Sequence, residues 1–228
     1  QPQGRAPGVT PDALVLDLDD TLLDTSGLLV PAADRRAVAS MRAAGLRMAP
    51  DAACRELDAL RAEGVDNPFA ELARRQGAAA ACGSAGADAF FRFEVPADLA
   101  LAPDVTAALD VLGRLCPLAL LTAGDERTQR AKVDRLGIAG RFRACVFVPP
   151  GEKPRALAAL LARFAWRPAR VVVVGDRATS EIRAGNALGC RTVLVRRAGT
   201  EHGAHEPGPG DRPWRTVRSV TELPALLG

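Results

Sequence analysis

The sequence predicts an α/β fold, a doubly wound parallel sheet with an all-helical segment inserted into it. Three observations carry this. Short all-aliphatic or β-branched runs, Leu14-Val15-Leu16, Leu118-Ala119-Leu120-Leu121 and Val171-Val172-Val173-Val174, read as buried parallel strands. From Pro103 onward helical patterns alternate with such runs, the signature of strand–helix–strand units. Between the first and second runs, about eighty residues lack strand character and carry apolar helical faces, far too long for a loop. Each run ends in a polar residue: Asp17, Thr122 and Gly175-Asp176. Open parallel sheets bind ligands beyond the carboxyl ends of their strands, so the three ends predict one shared site.

The elements follow in order. The Pro/Gly-rich residues 1–11 read as a loosely docked arm. A first strand spans Ala13 to Leu18. The insert offers Val38 and Met41 on one helix, Ala53, Leu57 and Leu60 at i, i+4 and i+7 on a second, and Phe69, Leu72 and Ala73 on a third. Gly45, Gly64 and Gly77 are helix stops. The Ala/Gly-rich stretch Ala78–Gly86 reads as a flexible turn, and Phe90, Phe91 and Phe93 as packing residues. Val105, Leu109 and Leu112 mark the face of the next helix. After the Thr122 strand, Asp125 is a helix N-cap and Gly137 a stop. Ala144–Val148 is a strand, Pro154 suits the first turn of a helix to about Ala165, and Arg170–Val174 is a strand. A helix runs from about Ser180 to Leu188, and Thr192–Val195 is a fifth strand. Arg196–Pro213 reads as a loop, Trp214–Val217 as an edge strand and Val220–Leu227 as a terminal helix. The division expected is a Rossmann-like core of 1–24 and 104–228 around a helical cap of 25–103.

Composition narrows the function classes. The chain has 228 residues, 48% of them hydrophobic, enough for a core plus a smaller module. A net charge of +3, scattered arginines and no Tyr argue against nucleic acid. Five widely spaced cysteines without a CxxC pair read as buried free thiols of a reducing compartment. No apolar run reaches membrane-span length, and Gln1-Pro2-Gln3-Gly4 carries no signal-peptide pattern. The expectation is a cytoplasmic protein with no membrane partner.

Four parts stand out together: Asp17-Leu18-Asp19-Asp20-Thr21, Thr122, Lys153 and Gly175-Asp176. Lys153 is one of only two lysines beside twenty-eight arginines. In order, spacing and context the four resemble the motifs of the haloacid dehalogenase superfamily, and Gly175–Gly185 resembles its GDxxxxD-I-x-A-G stretch with Glu181 for the usual Asp. The resemblance covers residues 9–24 and 104–227, and the insert lies where the helical-cap branch carries its cap.

The resemblance implies a Mg²⁺-dependent phosphatase acting on a small phosphorylated metabolite through an aspartyl-phosphate. Asp17 would be the nucleophile, dividing a slow hydrolysis into two easier steps. Asp19 would be the general acid for the leaving alcohol and then the base for water. Asp17 and Asp176 would bind the metal by side chains and Asp19 by its carbonyl, an oxygen-only set suited to Mg²⁺. Thr122 and Lys153 would hold the phosphoryl oxygens. Thr21, Ala123, Gly175 and Glu181 would support them, with Glu181 reaching the metal's waters. Ala123 stands where many relatives have Asn, and Arg177 where a small residue follows GD. Because a halide needs no proton, dehalogenases lack the second acid. Asp19 therefore favours ester hydrolysis or phosphoryl transfer.

Rival readings remain open at this point. A phosphomutase would share every core residue, and a degenerate member would only bind a ligand or partner. A receiver domain uses similar residue types but in another order and about half the length. Lys132 reads as lying on the solvated face of its helix, His202 and His205 as solvated loop residues, and Arg196-Arg197 as solvent-exposed. Oligomeric state and substrate are left open.

Overall fold

The computed structural model describes residues 10–65, 67–92, 94–197, 208 and 210–228. Phe93, His202, His205 and nearly all of the 1–11 arm lie outside them. Among the described residues the chain divides into two compact units. One runs up to Leu23 and resumes at Ala97; the other is Asp24–Pro96.

The first unit is a six-stranded parallel sheet: β1 (Ala13–Leu16), β2 (Leu118–Ala123), β3 (Ala144–Val148), β4 (Val171–Gly175), β5 (Arg191–Val195) and β6 (Arg215–Val217). Their order is β3-β2-β1-β4-β5-β6. All of β1 and β4 is buried, as helices on both faces require of strands without alternation. Leu14 is level with Leu118 on one side and Val172 on the other. The chain builds outward from β1 through β2 to β3, then crosses to β4 on the opposite flank. The crevice at that reversal lies beyond the ends of β1, β2 and β4.

On one face, Val15, Ala119, Leu121 and Val173 pack with Leu157, Leu160, Leu161 and Ala184 from the later helices. Val105, Leu109 and Leu112 are buried on the helix Pro103–Leu115, as their spacing predicts. The last helix is split into a turn at Val220–Glu222 and Leu223–Leu227, started by a Ser219–Glu222 capping box. Arg196 and Arg197 are half-buried rather than solvent-exposed: the Arg196 amide donates to Val217 O, drawing the chain against β6.

The second unit is all helical: α1 (Thr25–Leu28), α2 (Val30–Ala43), α3 (Pro50–Ala62), α4 (Pro68–Arg75) and α5 (Ala80–Phe91). Val38, Met41, Leu57, Leu60, Phe69 and Leu72 meet in its core, each such burial being worth roughly 1.5–3 kcal/mol. A buried ion pair lies beside them. Arg61 forks onto both oxygens of Asp34 at 2.6 and 2.7 Å, with its guanidinium 5.4 Å from the Phe90 ring centroid.

The expected turn at Ala78–Gly86 is instead the first half of α5. Its glycines are chosen by packing. A Cβ on Gly83 would stand 2.8 Å from Ala70 Cα, and one on Gly86 would stand 2.6 Å from Met41 Cγ. Close approach to α4 and α2 outweighs the poor helix propensity of Gly. Phe90 packs on Phe69 at 5.2 Å, but Phe91 is 64% exposed and does not join the core. No described helix is long and apolar enough to cross a membrane.

Candidate active site

The site begins where β1 runs out. Asp17 follows three fully buried apolar residues and is itself buried; its amide donates to Val174 O at 3.0 Å and so continues the sheet. The chain then turns tightly. Leu22 and Leu23 amides both donate to Leu18 O at 2.9 Å, and the Asp20 amide donates to Leu23 O at 2.7 Å. Asp20 takes a positive φ of 54°, a conformation that Asp tolerates better than most residues. Thr21 is fully buried, and its hydroxyl finds no hydrogen-bond partner among the described residues.

Thr122 lies buried in β2 and Asp176 buried one residue past β4. Lys153 opens the helix α7 (Lys153–Phe164). Its ammonium donates to Asp17 Oδ1 at 2.7 Å and to Glu181 Oε1. Glu181 sits in a wide π-type turn, Ala178–Ile182, that precedes a short helix Arg183–Ala187, so the expected helix starts earlier and wider than Ser180. Such turns often carry functional residues. Its other oxygen accepts from the Arg177 amide at 3.2 Å. Gly175 is needed beneath it, because a Cβ there would stand 2.6 Å from Glu181 Cβ. Asp17, Lys153 and Glu181 are therefore brought into direct contact.

Asp19 has a separate set of partners. The helix α6 (Glu126–Leu136), capped by Asp125 as expected, presents Gln129 and Lys132 on its buried face. Lys132 Nζ donates to Asp19 Oδ1 at 2.7 Å, and Gln129 Nε2 to Asp19 Oδ2 at 2.7 Å. Gln129 Nε2 also donates to Ala123 O at 3.0 Å. Lys132 is thus buried, not solvated; the carboxylate at the end of β1 draws it inward. The signal that could have found it is the same scarcity that singles out Lys153. Both lysines of this chain pair with a carboxylate of the first motif.

The electrostatics are dominated by crowded acids. Burial pushes Asp17 up to about 7; Lys153 opposes the shift, while Glu181 and Asp19 add to it. Burial also raises Asp176 well above the carboxylate range, with Asp17, Glu181 and Asp20 adding to it. Burial works against the charge on Lys153, yet Asp17 and Glu181 hold its pKa above that of an ordinary lysine. Among the described residues no three His, Cys, Asp or Glu side chains form a ready cluster of metal ligands. The implied set asks for only two, Asp17 and Asp176, with the Asp19 carbonyl. Several carboxylates about one buried ammonium leave an excess of negative charge, and this all-oxygen donor set fits a hard divalent cation.

Residues 11–189 match the family of haloacid dehalogenase-like hydrolases. The chain belongs to that family. It is 33% identical over 201 residues to glyceraldehyde 3-phosphate phosphatase of Methanopyrus kandleri, covering 81% of this chain and 84% of that protein. It is 32% identical over 132 residues to N-acylneuraminate-9-phosphatase of Mus musculus, covering 56% of this chain. The chain spans about half the length of that protein and of its rat and human counterparts (52% in each). Among solved structures, the magnesium-bound HAD-hydrolase YfnB of Bacillus subtilis superimposes with a TM-score of 0.68 at 18% identity, over 96% of this chain and all of that one. That likeness establishes the fold.

Proposed function

We propose that this haloacid dehalogenase-like protein is a Mg²⁺-dependent phosphatase that hydrolyses a small phosphate monoester through a phosphoaspartate on Asp17. The observation that carries the reading is the contrast between two acids two residues apart. Asp17 is buried against Lys153, whereas Asp19 is partly exposed and held by Lys132 and Gln129. Paired carboxylates in different environments take different roles.

Asp17 attacks phosphorus, the ester P–O bond breaks, and the leaving oxygen takes its proton from Asp19. Water then attacks the phosphoaspartate, giving a proton to Asp19 and releasing inorganic phosphate. Lys153 holds charge beside the transferring group, and Thr122 offers a hydroxyl at the end of β2. Asp17, Asp176 and the Asp19 carbonyl would hold Mg²⁺, which would supply positive charge against the phosphoryl oxygens. Glu181, joined to Lys153, keeps that ammonium in place.

The relatives named for glyceraldehyde 3-phosphate and N-acylneuraminate 9-phosphate support a small phosphorylated metabolite as substrate. The helical unit, with a core of its own, is read as the cap that sets specificity and excludes water. The test is phosphate release from a panel of sugar, nucleotide and acid phosphates, with Mg²⁺ and with chelator. Turnover only with Mg²⁺, and its loss by orders of magnitude in Asp17→Asn, supports the reading. Equal turnover in chelator removes the metal, and activity within tenfold of wild type in Asp17→Asn removes the nucleophile.

A further inference from the structure

The geometry points to Lys132 and Gln129 as positioning residues that fix the carboxylate of Asp19 for proton exchange with the leaving oxygen. This inference rests on the phosphatase reading and on Asp19 as its acid.

Three observations carry it. First, the two donors meet both oxygens of one carboxylate, Lys132 on Oδ1 and Gln129 on Oδ2, each at 2.7 Å. A carboxylate held at both ends has one orientation about its last torsion instead of a broad range. Second, the orientation of the Gln129 amide is itself determined. Its NH₂ donates both to Asp19 and to Ala123 O, so the reverse orientation would set an oxygen against two acceptors. The consequence is that Gln129 Oε1 is buried without a hydrogen-bond partner among the described residues. An unsatisfied buried acceptor opposes folding, so this arrangement is not the one stability alone selects. Third, the space is reserved for it: Gly124 stands at φ 152°, and a Cβ there would lie 2.8 Å from Gln129 Nε2.

The placement follows from the chain. Gln129 and Lys132 are three residues apart on α6 and share its buried face. The same connection that delivers Thr122 and Ala123 to the site therefore delivers the tether for Asp19. Lys132 donates to Asp19, and Lys153 donates to Asp17. The two lysines divide the two acids between them. General acid catalysis requires the acid within hydrogen-bond reach of a leaving atom, so its orientation matters most where the leaving group most needs a proton.

The test uses the full chain with Mg²⁺ and a series of phenyl phosphates from 4-nitrophenyl to 4-methoxyphenyl. It compares wild type, Lys132→Met, Lys132→Arg, Gln129→Leu and Asp19→Asn. The readout is kcat/KM against the pKa of the phenol, which follows phosphoryl transfer to Asp17 and not the later hydrolysis. Lys132→Met should lower kcat/KM by about tenfold or more for the poorest leaving group and by less than about threefold for 4-nitrophenyl phosphate. Asp19→Asn should tilt the line further in the same sense. Lys132→Arg should restore most of the slope, and Gln129→Leu, which leaves no charge unpaired, should tilt it less.

A uniform loss across the series, or none, in both Lys132→Met and Gln129→Leu overturns the inference if Asp19→Asn still tilts the line. If Asp19→Asn shows no tilt, Asp19 is not the acid and the inference falls with that role. A wild type silent on every ester removes the phosphatase reading and this inference together. Should Lys132→Met not fold, Gln129→Leu and Lys132→Arg decide by the same slope.

Discussion

Stability of the core unit should fall as pH rises from 5 to 8 in chelator, and Mg²⁺ should reverse the trend. Asp17 sits at about 7, against an ordinary carboxylate value of 3.8, because burial disfavours its charge. A group raised in the folded state contributes stability that is fully present below its unfolded pKa and lost as pH rises through its folded pKa. For Asp17 alone the loss between pH 5 and 8 is about 2–3 kcal/mol. Asp176, raised by the same burial, acts in the same direction. Two acids depressed by neighbouring arginines act outside this window. Asp12, hydrogen-bonded by Arg167, and Glu71, hydrogen-bonded by Arg74 and Arg75, sit near 2, so their stabilisation is lost only in acid. At the proposed metal site Mg²⁺ would bind the ionised carboxylates, so its apparent affinity should rise about tenfold per pH unit below 7 for each proton displaced. The assay is urea unfolding followed by tryptophan fluorescence, since Trp166 and Trp214 both belong to the core unit. Asp17→Asn should weaken the pH dependence in chelator and leave the part due to Asp176. Stability in chelator that holds level or rises from pH 5 to 8, or an Mg²⁺ increment equal at both ends, would refute the reasoning.

Three further outcomes follow from packing. Gly83→Ala should destabilise the helical unit by about 1–3 kcal/mol, because its Cβ meets Ala70 backbone at 2.8 Å and cannot be relieved by a side-chain rotation; helical circular dichroism in urea measures it. Asp34→Ala should cost about 3 kcal/mol in the same unit, since the nearly buried Arg61 guanidinium loses both short bonds of its fork. Its tryptophan-detected transition, reporting the core unit, should move far less. Gly175→Ala should displace Glu181 from Lys153 and lower kcat with little change in KM, measured on 4-nitrophenyl phosphate; unchanged kcat would separate Glu181 from the function of Lys153.

What the sequence made legible tracks the range of the interactions involved. Runs such as Val171–Val174 announce buried strands because both faces of a parallel strand are covered, so one segment carries its own evidence. The residues at the strand ends were legible for a related reason: Asp17, Thr122 and Asp176 each close an apolar run, and the strand order brings those ends to one crevice. Contacts made between distant segments left weaker marks. The glycines of α5 read locally as a turn, since their reason for being small lies on α4 and α2. Lys132 read as solvated because its partner is 113 residues away in the chain. A single amphipathic helix does not show which polar residue on its inner edge meets an acid across the sheet. Rarity was the available clue: in a chain that otherwise uses arginine, a lysine marks a place where a compact ammonium is wanted in preference to a planar fork. Arginine serves the broad, stacked pairings here, such as Arg61 over Phe90, while the two lysines serve single carboxylate oxygens in confined space. Replacing Lys153 by Arg should therefore disturb the bridge that residue 153 makes between Asp17 and Glu181 more than Lys132→Arg disturbs the partly open Asp19.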